Sequence, residues 1–254
     1  MRVRGYSRPG HFWLIERYRR LSYDAATVAK RYEEHVEDVL VNVFYALALR
    51  ALARLCALDP SGPDGGGIYV ERASQTERSL LERCHDPRSG LFFDLAGSAE
   101  RPLSVSTWSS LAPLALTGIP EDVRRRLVDE HLLDDRRYRA PFGIPSVSIE
   151  EPSFHPGFQV WRCWRGPSWM NTAWLLVPAM RELGYGDDAE RVTESMLLAV
   201  DRHGLREYYN PLTGVGLGAR GFAFSALIVD LLAQSGNPAG EPGSPSAATR
   251  MMSR

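Results

Sequence analysis

Apolar residues return every three to four positions along most of this chain, the spacing of helices that bury one face. Phe12 to Leu21 sets Leu14, Tyr18 and Leu21 on one side, and Tyr23 to Arg31 reads as a second short helix. Val36 to Leu58 is longer and far more apolar, VEDVLVNVFYALALRALARLCAL. The helical period resumes over Tyr69–Cys84, Ser106–Leu116, Pro120–Leu132, Met170–Leu183, Asp187–Asp201 and Phe222–Leu232. Between these lie turn residues: a loop from Asp59 through the Gly-Gly-Gly run, and His85-Asp-Pro-Arg-Ser-Gly90. Leu91-Phe-Phe-Asp-Leu95 reads as a short strand. Paired helices with little β pattern predict an all-α fold over residues 1–234. From Ser235 onward ten of twenty residues are Gly, Pro or Ser, so 235–254 reads as a disordered tail.

The long apolar stretch from Val39 is the length of a membrane span. Asn42, Arg50 and Arg54 interrupt it, and arginine at a helix centre costs about 2.5–3.5 kcal/mol on insertion. A buried helix of a soluble protein is the expectation, with no membrane partner. The start, MRVRGYSRPGHFW, has charge but no apolar segment behind it, so no signal peptide is expected. The 254 residues are 44% hydrophobic and 24% charged, which excludes disorder throughout. A formal net charge of −1 gives no global field to attract nucleic acid. Cys56, Cys84 and Cys163 form no CxxC pair, which fits a reducing cytoplasm and neither a zinc site nor a disulfide framework.

Chemistry concentrates in two segments. Trp161 to Trp174, WRCWRGPSWMNTAW, holds four of the six tryptophans. Pro167 reads as near the first turn of the following helix, with Gly166 turning the chain before it. Trp164, Arg165 and Trp169 are thereby presented together at a helix entrance. Indoles stack on the apolar faces of sugar rings, and a guanidinium bonds hydroxyls or pairs with a carboxylate. Trp174, further into the helix, reads as core. The second segment is Arg206-Glu-Tyr-Tyr-Asn-Pro-Leu-Thr-Gly214, running into Val215-Gly-Leu-Gly218. Here Glu207 falls in a turn-rich loop beside Tyr208 and Tyr209. Two readings stay open at this point, a site carboxylate and a surface glutamate paired with Arg206 or Arg220. Phe222-Ala-Phe-Ser-Ala226 opens a packing helix with an aromatic entrance.

Together these segments resemble glycoside hydrolase family 63, in particular the bacterial mannosylglycerate and glucosylglycerate hydrolases. The resemblance runs through Cys163-Trp-Arg-Gly-Pro-Ser-Trp169, Glu207-Tyr-Tyr-Asn-Pro-Leu-Thr-Gly214 and Phe222-Ala-Phe-Ser-Ala226. It also takes in Val36 to Asn42, Leu91 to Asp94 and Pro145 to Ser148, covering about residues 12 to 232. It implies an (α/α)6 barrel, a small sugar or glycoside as ligand, and no metal or organic cofactor. It implies inverting hydrolysis of an α-glycosidic bond with Glu207 as general base, and Trp164, Arg165, Trp169 and Tyr208 at the sugar. Cys163 and Phe224 depart from the family's tyrosine and tryptophan. The family's acid is an aspartate in a Trp-Asp segment upstream of the helix matched by Val36 to Asn42. This chain is therefore expected to lack that acid and the barrel's N-terminal helices, and to self-associate or take up a missing half. Asp38, Asp86 and Asp94 are the carboxylates available as replacements. A catalytically inactive helical sugar-binding or interaction module is the alternative, and it needs no second acid.

Overall fold

A computed structural model describes residues 8–32, 35–58, 65–160 and 163–235. The expected tail from 236 onward, Trp161 and most of the Pro/Gly loop after Leu58 lie outside these residues. The chain divides into two compact units, residues 1–38 with 94–104, and residues 39–93 with 105–254.

The smaller unit holds α1 (Arg8–Arg20) and α2 (Ala25–Arg31). The Asp24 side chain accepts the Thr27 N–H at 2.9 Å and so caps α2. Three two-residue strands, β1 (Val36–Glu37), β2 (Leu95–Ala96) and β3 (Arg101–Pro102), form an antiparallel sheet in that order. Val36 faces Ala96, and Leu95 faces Pro102.

The larger unit carries the core. Its helices are α3 (Val39–Ala57), α4 (Gly67–Ser79), α5 (Glu121–Leu127), α6 (Met170–Glu182), α7 (Gly186–His203) and α8 (Leu227–Ser235). α6 and α7 form a hairpin through a three-residue turn, and α8 packs on both. Leu111, Leu114, Ile119, Leu127, Met170, Leu176 and Met196 are buried in one continuous cluster. Full burial of each such side chain contributes about 1.5–3 kcal/mol.

Every segment with a helical period is helical, but not uniformly so. α4 and α5 each run on into a wider π-helical turn, Leu80–Cys84 and Val128–Leu132. Trp108–Ala115 is a tighter 3-10 helix that contains Pro113, which has no N–H to extend an α-helical ladder.

Three expectations need correction. The fold is helix-dominated but not purely α, because two small antiparallel sheets are present, the second formed by β4 (Arg206–Tyr209) and β5 (Gly216–Arg220). The strand expected at Leu91–Leu95 is reduced to Leu95 with Ala96, while Phe92 makes a single bridge to His85. α3 is not a buried helix. Val39, Val43, Ala46, Leu49 and Ala53 are buried, but Val41, Phe44, Tyr45, Leu52 and Leu55 are exposed. Among the described residues it is the one helix long and apolar enough to cross a membrane.

On the buried side α3 leans on α4 through a charge. Arg50 donates to Glu77 Oε1 at 3.1 Å and to Oε2 at 2.5 Å, and Glu77 is only 2% exposed. A Cβ on Gly66 would lie 2.9 Å from the Ala53 backbone, so this glycine lets the start of α4 approach α3.

Candidate functional site

Four backbone segments lie edge to edge beneath the candidate residues. Thr107 bridges Val147, Pro145 bridges Ser168, and Ser168 bridges Tyr209. Ser168 and Tyr209 exchange backbone hydrogen bonds, both at 2.9 Å. Ser146 ties the arrangement from within: its Oγ accepts the Gly166 N–H at 3.0 Å, and its carbonyl accepts the Trp108 N–H at 3.1 Å. This explains why Pro145 to Ser148, a run without evident chemistry, matters to the site. Pro167 belongs to this extended stretch and not to a helical first turn, because α6 begins at Met170 with Trp169 as its N-cap. Gly166 has φ +145, and a Cβ there would meet the His155 backbone at 2.7 Å.

The aromatic candidates form one stack. Trp164 lies flat on Trp169, ring centroids 3.8 Å apart and planes 4° apart. Trp169 in turn contacts Tyr208 at 4.9 Å with a 32° tilt. Trp164 also meets Trp108, at 6.0 Å and 20°. Trp108 is not among the residues that the sequence singles out. It stands alone at the entrance of its helix, and the Thr107–Val147 bridge together with its own N–H bond to Ser146 brings it here. Trp169 and Tyr208 are buried, whereas Trp164 and Arg165 are exposed at the rim. The Trp169 indole N–H donates to the Cys163 carbonyl at 2.9 Å, fixing the ring. Trp174 is only partly buried; its indole N–H donates to Asp230 on α8.

Glu207 lies on a strand and not in a loop. It is part of the β4–β5 hairpin, whose turn is closed by the Asn210 side chain accepting the Leu212 N–H at 2.9 Å. The register slips beside it: Arg206 faces Arg220, but Tyr208 faces Leu217. Gly218 and Ala219 therefore stand opposite Glu207 alone, a bulge with Gly218 at φ +67. The Ala219 N–H donates to Glu207 Oε2 at 3.0 Å. A Cβ on Gly218 would collide with that oxygen, so only glycine leaves room for the carboxylate. The pairing with Arg206 or Arg220 does not form. Arg206 turns to the Gly218 carbonyl at 2.8 Å, and its own carbonyl accepts the Ser225 hydroxyl. The aromatic entrance at Phe222 to Ala226 is thereby tied to the hairpin.

Electrostatics place the carboxylate beside the tryptophan segment. The Cys163 thiol is held above its usual pKa by burial and then by the Glu207 charge. Tyr208 is pushed up to about 12, by burial first and then by Cys163 and Glu207. Both groups stay protonated at neutral pH, so neither adds a second negative charge beside Glu207.

Among the three alternative carboxylates, Asp86 is committed to its turn. It accepts the Ser89 hydroxyl at 2.8 Å and the Arg88 N–H at 3.2 Å, and these bonds hold its pKa down. Asp38 and Asp94 belong to the smaller unit.

A family model described as the mannosylglycerate hydrolase MGH1-like glycoside hydrolase domain matches residues 5–225. Mannosylglycerate hydrolase of Thermus thermophilus is 32% identical over 217 residues, covering 85% of this chain and 49% of the relative. Glucosylglycerate hydrolase of Mycolicibacterium hassiacum is 27% identical over 224 residues, 86% of this chain and 49% of its own length. Among solved structures, a family-63 mannosylglycerate hydrolase of Thermus thermophilus in complex with glucose superposes with a TM-score of 0.73 at 31% identity. The match covers 86% of this chain and 50% of that one. Neutral trehalase Nth1 of Saccharomyces cerevisiae, at 16% identity and a TM-score of 0.60, shares the fold alone; 80% of this chain and 38% of that one are covered. These neighbours accord with a helical (α/α) toroid. The chain spans about half the length of the curated relatives it matches.

Proposed function

Because the chain belongs to the mannosylglycerate hydrolase MGH1-like glycoside hydrolase family, we propose that it bears the general-base side of an inverting glycosidase site. The substrate class is a glucosyl- or mannosylglycerate. The observation that supports this most is the bulged hairpin, which fixes the Glu207 carboxylate on the Ala219 N–H next to Tyr208, the residue that contacts Trp169. An inverting enzyme needs one carboxylate to take a proton from water while that water attacks the anomeric carbon. A second, protonated carboxyl about 6.5–9.5 Å away gives its proton to the departing oxygen. Glu207 takes the first role. The Ala219 N–H bonds one carboxylate oxygen and orients the other for water.

Trp169, braced by Tyr208, supplies the sugar-stacking face, and Trp164 and Arg165 close over it from the rim. Arg165 is free to reach sugar hydroxyls or the glycerate carboxylate. The Thermus thermophilus enzyme has been crystallised with glucose and, together with Tris, with D-glycerate, ligands of that chemistry. The proton donor belongs to the half of the family's fold that these residues do not match.

The test uses a glycosyl fluoride, whose leaving group needs little protonation. The chain alone should hydrolyse the α-fluoride slowly and the natural glycoside negligibly, since a missing general acid costs about 10²–10⁴-fold. Glu207→Gln should remove fluoride turnover while weak sugar binding survives. Unchanged turnover in that variant would refute the base assignment. Ordinary turnover of an unactivated glycoside by the intact chain would refute the missing acid.

A further inference from the structure

Arg206 and Glu207 reach one peptide unit from its two ends. The Arg206 guanidinium donates to the Gly218 carbonyl at 2.8 Å. The N–H of Ala219, the other end of that peptide, donates to Glu207 Oε2 at 3.0 Å. In a trans peptide the carbonyl and the N–H point in opposite directions, so the Gly218–Ala219 unit lies between the cation and the carboxylate. β5 leaves room for both side chains: a Cβ on Gly216 would collide with Arg206 Cγ, as one on Gly218 would with Glu207 Oε2. The Arg206 backbone is pinned as well. Its N–H donates to the Tyr209 hydroxyl at 3.0 Å, and its carbonyl accepts the Ser225 hydroxyl. The Tyr209 hydroxyl in turn donates to the Gly204 carbonyl at 2.8 Å, and both Tyr209 and Ser225 are buried. Arg206 itself is half-buried, and its Nε has no hydrogen-bond partner among the described residues.

We propose that Arg206 is a positioning residue for Glu207, acting through the Gly218–Ala219 peptide. A positive charge at the carbonyl draws electron density across the peptide and strengthens its N–H as a donor, as hydrogen bonds in a chain strengthen one another. It also keeps that peptide from turning over. Gly218 sits at φ +67 without a side chain to hold the bulge in one orientation, and glycine populates other backbone conformations readily. With the guanidinium in place, the Ala219 N–H stays aimed at Oε2, and the other carboxylate oxygen keeps one direction toward the attacking water. Arg206 touches neither sugar nor water; its influence passes through the peptide. For its effect on turnover the proposal rests on Glu207 as the general base, and for its effect on the carboxylate it rests on the hairpin geometry alone.

The full chain carries the test, with amide exchange as the first readout. Arg206→Met keeps the apolar stem and removes the charge. In it the Ala219 amide should exchange about tenfold faster, while the Tyr209 and Leu176 amides keep their rates. Arg206→Lys, which returns a cation to the carbonyl, should restore most of the protection. On the α-glycosyl fluoride, Arg206→Met should lower kcat by about 10- to 100-fold with KM unchanged, the loss expected when a catalytic group is displaced. Should Arg206→Met fail to melt cooperatively, Arg206→Gln, neutral and of similar reach, takes its place in both comparisons. Unchanged exchange at Ala219, equal acceleration at Tyr209, or a loss confined to KM would overturn the proposal. Glu207→Gln separates the two assignments. If that variant keeps fluoride turnover the base assignment falls, and exchange at Ala219 alone decides the role of Arg206.

Discussion

At Gly218 a missing side chain decides where a charged one can sit. Gly218→Ala forces a Cβ into a left-handed position against Glu207 Oε2. Such backbone strain costs about 1–3 kcal/mol. The variant should lose stability on that order in urea unfolding, and the carboxylate should shift. His131 offers a second residue-level prediction. Its Nε2 faces the Ser89 carbonyl at 2.8 Å and must donate, leaving Nδ1 to accept from Arg137 at 3.2 Å. Only the neutral ring satisfies both. Burial, more than the Arg137 charge, lowers its pKa below 6.5, and burial lowers His85 likewise. The unfolded chain therefore binds more protons over the interval below about pH 6.5, so stability is full above it and falls as pH drops. Urea midpoints measured from about pH 7.5 to pH 5 should decline, with a shallower slope in His131→Asn.

Elements were the most legible level, and the reasons are local. A period of about 3.6 residues survives any tertiary context that keeps one face buried, so α3, α6 and α7 can be placed from apolar spacing alone. The π-helical turns at Leu80 and Val128 cannot, since so brief a widening leaves the average period almost unchanged. Glu207 reads as a loop residue because Asn210-Pro-Leu-Thr-Gly214 dominates its surroundings. Its strand exists through pairing with Gly216 to Arg220, a run with little β propensity. Trp108 carries no motif; a site wall made of one residue becomes visible only when distant segments meet.

The α3–α4 pair carries its own prediction. Arg50→Met strands the Glu77 carboxylate in a site where it is 2% exposed, and should cost about 3 kcal/mol, the low end for a broken buried pair because Arg50 is 28% exposed. Arg50→Met with Glu77→Leu should recover most of that in thermal melts.

For the larger unit, the four-segment floor ties distant parts of the sequence together, so the site should open as one with the core. Thr107, Val147, Ser168 and Tyr209 come from well-separated parts of the sequence, and no single helix supplies two of them. The amides of Ser168 and Tyr209 should exchange at the rate of Leu176 in the core of α6, through shared opening of the unit. Faster exchange at Ser168 than at Leu176 would show that the site frays independently.

The flat contact of Trp164 on Trp169 makes the site report on itself optically. Two indoles 3.8 Å apart and 4° from parallel are close enough to couple their electronic transitions, so their spectra should depend on the stacking. On the function proposed above, a sugar ring on Trp169 would take the space that Trp164 fills, and ligand would part the pair. Binding should then appear as a change in near-ultraviolet ellipticity and in fluorescence, both absent in Trp164→Ala. The chain needs no label and no turnover to show when its site is filled.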